Sequence, residues 1–339
     1  MTDQITVIGA GAWGTTLAVQ LADAQRPVGL WAHSSDAAER LAHERTNERY
    51  LPGIVLPPNV RVLTEDAHLA EPHRLYVLAV PSAHVRSTLR RLAPSLRDGV
   101  PILSVVKGIE DATHLRMSEV IGQEAPERPV AALSGPNLAR EIAAGKPAGS
   151  VIASADAALA ADLAALLSTE RFRVYTNPDL VGVELCGSLK NVIALAAGMV
   201  DGLGFGDSAK AGIITRGLAE MMRLVVAADA HQLTFAWLAG VGDLIATCMS
   251  PLSRNRRCGE LIASGVPWPD AGEQLTGVAE GVATVSGALA LAAVHGVELP
   301  IAEQVRAVVF ENRPPMAAVA DLMGRSTKDE LSRPTEAAS

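Results

Sequence analysis

The sequence of 339 residues has few aromatic side chains, few cysteines and no excess of positive charge. Aromatic residues make up only 3%, which argues against the base-stacking platforms that bind single-stranded nucleic acid. The 29 basic residues are outnumbered by 37 acidic ones, and a net charge of -8 argues against a nucleic-acid partner. Charged residues make up 19% and hydrophobic residues 49%, which excludes extended disorder. The length predicts two domains, each with its own core.

The three cysteines, Cys186, Cys248 and Cys258, are too few and too widely spaced for a disulfide framework or a zinc ribbon. Free thiols are typical of the reducing cytosol, so we expect a cytoplasmic protein without a metal. The N-terminus enters a strand without the charged region of a secretory signal. The uncharged stretch at residues 281–297 contains three glycines, and we interpret it as a core helix rather than a membrane span.

Short apolar runs alternate with helical patterns in the first half of the chain, which predicts an α/β Rossmann domain with a doubly wound, mostly parallel sheet. The predicted strands span residues 5–8, 28–31, 60–63, 75–80, 102–106, 130–133, 149–153 and 172–175, and the clearest helices span 15–24, 84–92 and 157–167. After Asn177 and Pro178, helical spacing dominates. We therefore predict an α/β domain at 1–178, an all-α domain at 179–325 and a polar tail at 326–339.

A glycine motif, GxGxxG, follows the first predicted strand and opens a helix. Gly9 permits a tight turn, Gly11 lets the backbone approach a pyrophosphate, and Gly14 allows close helix packing. Ala12 and Trp13 complete the motif before the helix predicted at 15–24, whose N-terminus supplies amide donors and the positive end of the helix dipole that favour an anion. A chain rich in glycine and alanine produces this motif by chance, but its place between strand and helix predicts dinucleotide binding. The first domain is therefore expected to bind a dinucleotide.

The end of the second predicted strand indicates which dinucleotide binds. The acid that reads the ribose of NAD is expected about 20 residues beyond the glycines. The sequence there contains Trp31, Ala32, His33 and Ser34, and no carboxylate would repel a 2′-phosphate. His33 and Ser34 could donate to that phosphate, or His33 is merely exposed. We expect NADP(H), or tolerance of both NADP(H) and NAD(H).

Two lysines lie where packing alone would not place them. Lys107 follows the strand predicted at 102–106, on the ligand-binding edge of a parallel sheet, unless it is a solvated loop residue. Gly135 and Asn137 follow the next strand and would face the same crevice. Lys190 interrupts an apolar helix at the domain junction, where burial favours the neutral amine and suits proton transfer. The alternative is that Lys190 extends its charged end into water.

A second polar cluster indicates an anion site in the helical domain. Asp243 stands between glycine and apolar residues. Ser253, Arg254 and Asn255 follow a turn at a predicted helix start, where arginine, amide and backbone donors suit a phosphate monoester. The alternative is a solvated, charged helix face.

These blocks, in this order, resemble the bacterial NAD(P)-dependent sn-glycerol-3-phosphate dehydrogenase family over almost the entire chain. The resemblance lies in residues 9–15, 47, 50–53, 106–110, 134–136, 187–191, 201–204, 210–211, 215–218, 242–244, 253–256 and 279–281. It implies reversible, NAD(P)H-dependent reduction of dihydroxyacetone phosphate to sn-glycerol 3-phosphate, which feeds glycerophospholipid synthesis. We expect a homodimer with a small phosphorylated substrate and no membrane span.

The resemblance also implies roles for individual residues. Lys190 would be the general acid/base at the substrate C2 oxygen. The implied substrate contacts are Lys107, Gly135, Asn137, Lys190, Asp243, Ser253, Arg254 and Asn255. The implied cofactor contacts beside the glycine motif are Trp13, His33, Lys107, Ala139, Arg254, Val278 and Glu280. Two positions depart from the family pattern, since Asn137 replaces the usual serine or threonine and His33 replaces a frequent arginine.

Two other functions fit parts of the pattern. A related dehydrogenase of similar architecture would act on a β-hydroxyacid or on 6-phosphogluconate, but the cluster at 253–255 and the block at 187–191 favour glycerol phosphate. A redox sensor would bind NAD(P)H with the first domain and a partner protein with the second. Such a sensor would not need a lysine on an apolar helix that faces a phosphate pocket.

Overall fold

A computed structural model describes residues 4–326. The strands are β1 (Ile5–Ile8), β2 (Val28–Trp31), β3 (Thr46–Asn47), β4 (Leu51–Val55), β5 (Val60–Leu63), β6 (Leu75–Leu78), β7 (Ile102–Ser104), β8 (Val130–Ser134), β9 (Ala148–Ala153) and β10 (Phe172–Asn177). The helices are α1 (Ala12–Asp23), α2 (Ser35–Glu44), α3 (Val85–Leu92), α4 (Met117–Glu124), α5 (Ala139–Ala143), α6 (Ala157–Leu167), α7 (Leu180–Gly202), α8 (Asp207–Ala227), α9 (Asp243–Met249), α10 (Arg254–Ala263), α11 (Asp270–Glu273), α12 (Glu280–Val294), α13 (Pro300–Phe310) and α14 (Pro315–Met323). Of the tail predicted at 326–339, residues 327–339 lie outside the described part.

Eight strands form one sheet in the order β10-β9-β8-β7-β6-β1-β2-β5. All neighbours are parallel except β8 and β9. The chain connects outward from β1 in both directions, so the strand order reverses between β1 and β6. Ligands of doubly wound sheets bind at this reversal, beyond the carboxyl ends of the strands. From Leu180 to residue 326 every element is a helix, and the predicted fold class is confirmed.

The antiparallel strand β9 departs from the parallel pattern for a local reason. A parallel crossover needs a connection long enough to return across the sheet, usually through a helix. The connection from β8 to β9 contains only α5, which has five residues and packs against α1 instead. Thr16 Oγ1 donates to the carbonyl of Ala139 at the start of α5, over 3.1 Å. The chain therefore re-enters the sheet at the edge it left.

A two-stranded ribbon, formed by β3 and β4, was not predicted. It holds the glycine turn, because Asn47 Nδ2 donates to the carbonyl of Ala10 over 2.9 Å and to Thr15 Oγ1 over 2.7 Å. Asn47 is buried, so its amide has no competing water. The ribbon thus fixes the loop between β1 and α1 from outside the main sheet.

Both faces of the sheet are covered, since apolar side chains of successive strand residues enter two separate cores. Val7 and Val77 lie in one core, and Ile8 and Leu78 lie in the other. A third core fills the helical domain around α7. By length and composition α7 could cross a membrane, but 89% of its most apolar window is buried, as in the core helix of a folded domain.

Helices α7 and α10 approach each other closely. A Cβ atom at Gly198 of α7 would overlap the carbonyl of Arg256, and one at Gly259 of α10 would overlap the carbonyl of Leu195. Backbone contact of this kind requires glycine, since any larger side chain forces the helices apart. The start of α10, with Ser253 to Asn255, is therefore held against the middle of α7.

Candidate active site

Two lysines from different domains share one aspartate. Lys107 Nζ lies 2.6 Å from Asp243 Oδ2, and Lys190 Nζ lies 2.8 Å from Asp243 Oδ1. Lys107 also donates to the carbonyl of Gly135 over 2.9 Å. These four predicted site residues therefore meet, although 136 residues separate Lys107 from Asp243 along the chain.

The local fold presents each member of this cluster. Lys107 follows β7 and Gly135 follows β8, so both lie at the carboxyl edge of the sheet. Asp243 begins α9 directly after the π-helical turn Leu238–Gly242, a rare feature that is frequent at functional sites. Lys190 lies in the middle of α7, where its residue is only 6% exposed. This burial agrees with the predicted buried lysine and not with the alternative that Lys190 extends its charged end into water.

Burial and the neighbouring charges shift the pKa values of groups in the cluster. Burial lowers the pKa of Lys107 to about 8, against the opposing attraction of Asp243. Burial alone would raise the pKa of Asp243, but the Lys107 and Lys190 ammonium groups outweigh it and hold that pKa below its usual value. Two ammonium groups thus share one carboxylate, and the cluster carries a surplus of positive charge. Such a surplus suits an anionic substrate.

Each ammonium group keeps one donor for a ligand. Lys190 donates to Asp243 and, over 2.6 Å, to Thr247 Oγ1. Lys107 donates to Asp243 and to Gly135. An ammonium group has three donors, so one N–H on each lysine remains. The arrangement can bind an oxygen atom of a ligand and exchange a proton with it.

The predicted phosphate-binding residues surround the start of α10. Ser253 is its N-cap and accepts from the amide of Arg256 over 3.2 Å, which leaves its hydroxyl hydrogen available. Asn255 is buried, donates to Asn191 Oδ1 over 2.9 Å and accepts from the amide of Gly281 over 2.9 Å. Asn191 in turn donates to the carbonyl of Lys107 over 3.3 Å. Asn255 thus joins α10 to both lysine-bearing elements.

Two polar atoms beside the cluster have no partner. Asn137 donates through Nδ2 to Ser150 Oγ over 3.0 Å, but its buried Oδ1 has none. Ser134 Oγ is also buried and without a partner, close to Gly187 of α7. Buried polar groups are ordinarily paired, so two orphans at one junction are consistent with polar atoms of a bound ligand. The bond to Ser150 uses one of the two amide hydrogens of Asn137, so one hydrogen and the Oδ1 atom remain for a ligand.

The predicted dinucleotide turn has the geometry that its glycines suggest. Gly9 has a φ of +118° and lies against the carbonyl of Ala79, where a Cβ would come within 2.7 Å. A Cβ at Gly14 would overlap the carbonyl of Gly9. Beside Gly11 nothing lies within 4 Å of a Cβ position, so the turn is open at the start of α1. The buried Trp13 Nε1–H has no partner. An open turn with free donors fits a pyrophosphate.

The remaining predicted cofactor residues lie on both sides of the cleft. Glu280 begins α12 and accepts from the amide of Ser82 over 3.3 Å and from its hydroxyl. Burial raises the pKa of Glu280, although Ser82 and Arg254 oppose the shift. Arg254 packs against Gly277 of the same domain, and Val278, the residue after Gly277, is exposed. The Ser82–Glu280 hydrogen bonds join the loop after β6 to the helical domain.

His33 follows β2 and is exposed, at the edge of a cavity of about 480 Å³. Its ring stands edge-on to Trp31, with centroids 6.2 Å apart. Both expectations for His33, exposure and a phosphate contact, are compatible with this place. Among residues 4–326 no three histidine, cysteine or acidic side chains are grouped to hold a metal ion.

Comparison with known proteins decides the family. Residues 4–160 match the model of the NAD-dependent glycerol-3-phosphate dehydrogenase N-terminus, and residues 179–320 match the model of its C-terminus. The chain belongs to this family. The resemblance seen in the sequence is thus confirmed, and with it an NAD(P)-dependent oxidoreductase rather than a redox sensor.

Relatives match over nearly their whole length. A glycerol-3-phosphate dehydrogenase [NAD(P)+] of Streptomyces coelicolor is 48% identical over 96% of this chain and 97% of its own. One of Nocardia farcinica is 49% identical over 96% and 98%. The crystal structure of glycerol-3-phosphate dehydrogenase from Coxiella burnetii is 37% identical, with a TM-score of 0.92 over 96% of this chain and 99% of that one.

Sequence reasoning missed residues that complete the cluster. Thr247 accepts from Lys190 and donates to the carbonyl of Asp243 over 2.6 Å. Its place four residues after Asp243, on the same face of a helix, is the signal that could have found it. Asn191 and Ser82 were also missed, because their partners lie far away in the sequence.

Proposed function

We propose that this protein catalyses the reversible reduction of dihydroxyacetone phosphate to sn-glycerol 3-phosphate with NAD(P)H. The observation that carries the proposal is the pair of buried lysines on one aspartate, beside the start of α10 and at the carboxyl edge of the sheet. This arrangement supports a proton donor next to a site for a phosphate monoester. Family membership supports the same substrate.

Lys190 is the general acid/base in this proposal. Its remaining N–H donates to the C2 oxygen of the substrate, and its proton passes to that oxygen as the carbonyl is reduced. In the reverse direction neutral Lys190 takes the proton back. Asp243 and Thr247 fix the Nζ atom, each by a hydrogen bond. A proton donor held in this way is typical of general acid catalysis.

The substrate is held by groups from both domains. Lys107 and the region of Gly135 and Asn137 contact it from the sheet edge, and Asp243 balances the lysines. Ser253, Arg254 and Asn255 receive its phosphate at the start of α10, where the helix dipole favours negative charge.

The dinucleotide, when bound, supplies the hydride. The residues that would hold it are Gly9, Gly11, Ala12, Trp13, Gly14, His33, Lys107, Ala139, Arg254, Val278 and Glu280. The open turn at Gly11 and the free donor of Trp13 fit its pyrophosphate. The division at residue 178 separates a dinucleotide-binding from a substrate-binding domain.

We also propose that the enzyme is a cytoplasmic homodimer whose product feeds glycerophospholipid synthesis. Its three cysteines are free and buried, which suits the cytosol. Between residues 233 and 252 five large apolar side chains are exposed, Leu233, Trp237, Ile245, Met249 and Leu252, and we propose that they contribute to the dimer interface.

Turnover of dihydroxyacetone phosphate with NADH and NADPH, measured side by side, tests the function. We expect oxidation of at least one cofactor with this substrate. Arg254→Ala should raise KM by about tenfold with a smaller change in kcat, because it removes a charged contact to the non-reacting phosphate.

The controls are 6-phosphogluconate and a set of 2-keto and 3-hydroxy acids. Turnover of one of these without turnover of dihydroxyacetone phosphate would contradict the proposed substrate. An unchanged KM in Arg254→Ala would remove that residue from the phosphate site.

The pKa of Lys107 predicts a pH dependence. Because this pKa is lowered to about 8, Lys107 is charged below that pH and loses its charge above it. We expect kcat/KM for dihydroxyacetone phosphate to fall above pH about 8, by about tenfold per pH unit. In Lys107→Arg the guanidinium stays charged, and the break should move to higher pH.

A matched control for this profile is Lys146→Arg. The Lys146 ammonium pairs with Glu141 over 3.1 Å and is 63% exposed, so its replacement should leave the break in place. A break that stays near pH 8 in Lys107→Arg would assign it to another group.

A further inference from the structure

A cavity of about 480 Å³ lies at the carboxyl ends of β2 and β5, and its lining includes Trp31, His33, Ser34, Asp66 and Arg91. In doubly wound sheets the end of the second strand reads the 2′ position of the adenosine ribose. NADP(H) has a phosphate there and NAD(H) has a hydroxyl. The charges that line this cavity therefore decide between the two cofactors.

Arg91 reaches this place from α3, an element outside the glycine motif and its two strands. Its Nε lies 2.8 Å from Asp66 Oδ2, and its Nη2 lies 3.1 Å from Asp66 Oδ1. Its Nη1 donates to the carbonyl of His33 over 3.2 Å. The guanidinium carbon stands 5.4 Å from the centroid of the Trp31 ring. Arg91 thus contacts the residue at which a reader of the ribose is expected.

The guanidinium still has donors for a ligand. Of its five N–H groups, three are engaged by Asp66 and His33. Asp66 is itself fixed, because Trp31 Nε1–H donates to its Oδ1 over 2.9 Å. The bidentate pair therefore orients the plane of the guanidinium and leaves two N–H groups unused.

Arg91 decides whether the cavity can bind a phosphate, because the carboxylates that line it would repel one. Glu65 and Asp66 are carboxylates that line it, and Arg91 is the arginine or lysine among its lining residues. Without Arg91 both carboxylates would repel a phosphate. Ser34, the N-cap of α2, adds the amide donors of a ten-residue helix, but no full charge.

We infer that Arg91 is the residue that binds the 2′-phosphate of NADP(H), oriented by Asp66. The inference deepens the proposed function, since it rests on a dinucleotide in the Rossmann domain. Arg91 supplies from α3 the cation that the end of β2 lacks, and it makes this chain able to use NADP(H).

Binding measurements on the full chain test this. The dissociation constants of NADPH and NADH are measured by nucleotide fluorescence, and that of adenosine 2′,5′-bisphosphate by calorimetry, for Arg91→Gln and the unaltered protein. We expect Arg91→Gln to raise the dissociation constants of NADPH and the bisphosphate by about tenfold or more. That of NADH should rise by less than about twofold, since only the first two ligands carry a 2′-phosphate. Arg91→Lys keeps the positive charge but loses the bidentate geometry of the guanidinium. Its dissociation constants for NADPH and the bisphosphate should lie between those of the unaltered protein and of Arg91→Gln.

Arg90→Gln is the matched control. Arg90 is the neighbouring residue of α3 and pairs with Glu124 instead, with a side chain that is 68% exposed. The Arg90→Gln variant should leave all three dissociation constants unchanged. Thermal unfolding of each variant confirms that the fold is retained, which is expected because the Arg91 side chain is itself 47% exposed.

Two results would overturn the inference. Equal weakening of NADPH and NADH in Arg91→Gln would mean that Arg91 only supports the cavity wall, and unchanged NADPH binding would mean that it does not meet the phosphate. If the unaltered protein bound neither NADPH nor NADH, the proposed function itself would fail.

Discussion

Lys190→Ala is expected to lower kcat for dihydroxyacetone phosphate by on the order of 10²-fold or more, because the variant has no proton donor at the C2 oxygen. The expected change in KM is smaller, since the phosphate contacts at the start of α10 remain. Steady-state kinetics in both reaction directions measure this, and both directions should lose rate, because the same group gives and takes the proton.

Removing Lys190 leaves the buried aspartate paired, so the effect on activity can be separated from an effect on folding. Asp243 keeps Lys107 as a partner when Lys190 is removed, so no buried charge is left alone. Lys190→Ala should therefore stay folded, with a loss of stability limited to the cavity that the buried side chain leaves. Lys146→Ala at the surface is the control for loss of a lysine. Turnover near the unaltered rate would exclude Lys190 as the acid/base.

Asp243→Asn, unlike Lys190→Ala, should cause a large loss of stability as well as a loss of activity. Asp243 is 1% exposed and is the carboxylate with which both ammonium groups pair. Removing one partner of a buried pair costs about 3–5 kcal/mol, because the remaining charge is uncompensated. We expect the free energy of unfolding at pH 7 to fall by about that amount.

The pH dependence of this variant distinguishes charge from packing. The pKa of Lys107 is already lowered by burial, so the unfolded chain binds more protons than the folded one between pH about 8 and 10.5. The free energy of unfolding therefore rises with pH over this range. Asp243→Asn should recover at pH 9 part of the stability that it loses at pH 7. Asp162→Asn, at an exposed pair with Arg74, is the control. A loss that is the same at both pH values would point to packing instead.

The fold was predictable where periodicity and length agree. The strands at 5–8, 28–31 and 60–63 and the helix at 157–167 have the predicted bounds. The strands predicted at 75–80 and 102–106 end earlier, because their last residues leave the sheet for the cleft. The ribbon of β3 and β4 and the reversed direction of β9 were missed, since both depend on contacts with the glycine turn and with α1 rather than on local pattern.

The site was predictable as a set of residues but not as a network. A lysine inside an apolar helix and an aspartate between a glycine and apolar residues stand out locally, and the resemblance to one family implies their roles. Nothing in the sequence shows that Lys107 and Lys190 share Asp243, that Asn137 donates to Ser150, or that Arg91 reaches the end of β2. These contacts depend on how separate elements pack.

The glycine contacts between α7 and α10 have a consequence for how such an enzyme can change its substrate. The distance from Lys190 to the phosphate donors is set by Gly198 and Gly259, which are core positions away from the ligand. A longer substrate therefore cannot be accommodated by trimming pocket side chains alone. New substrate length requires the two helices to separate, and the core of the helical domain opposes that change.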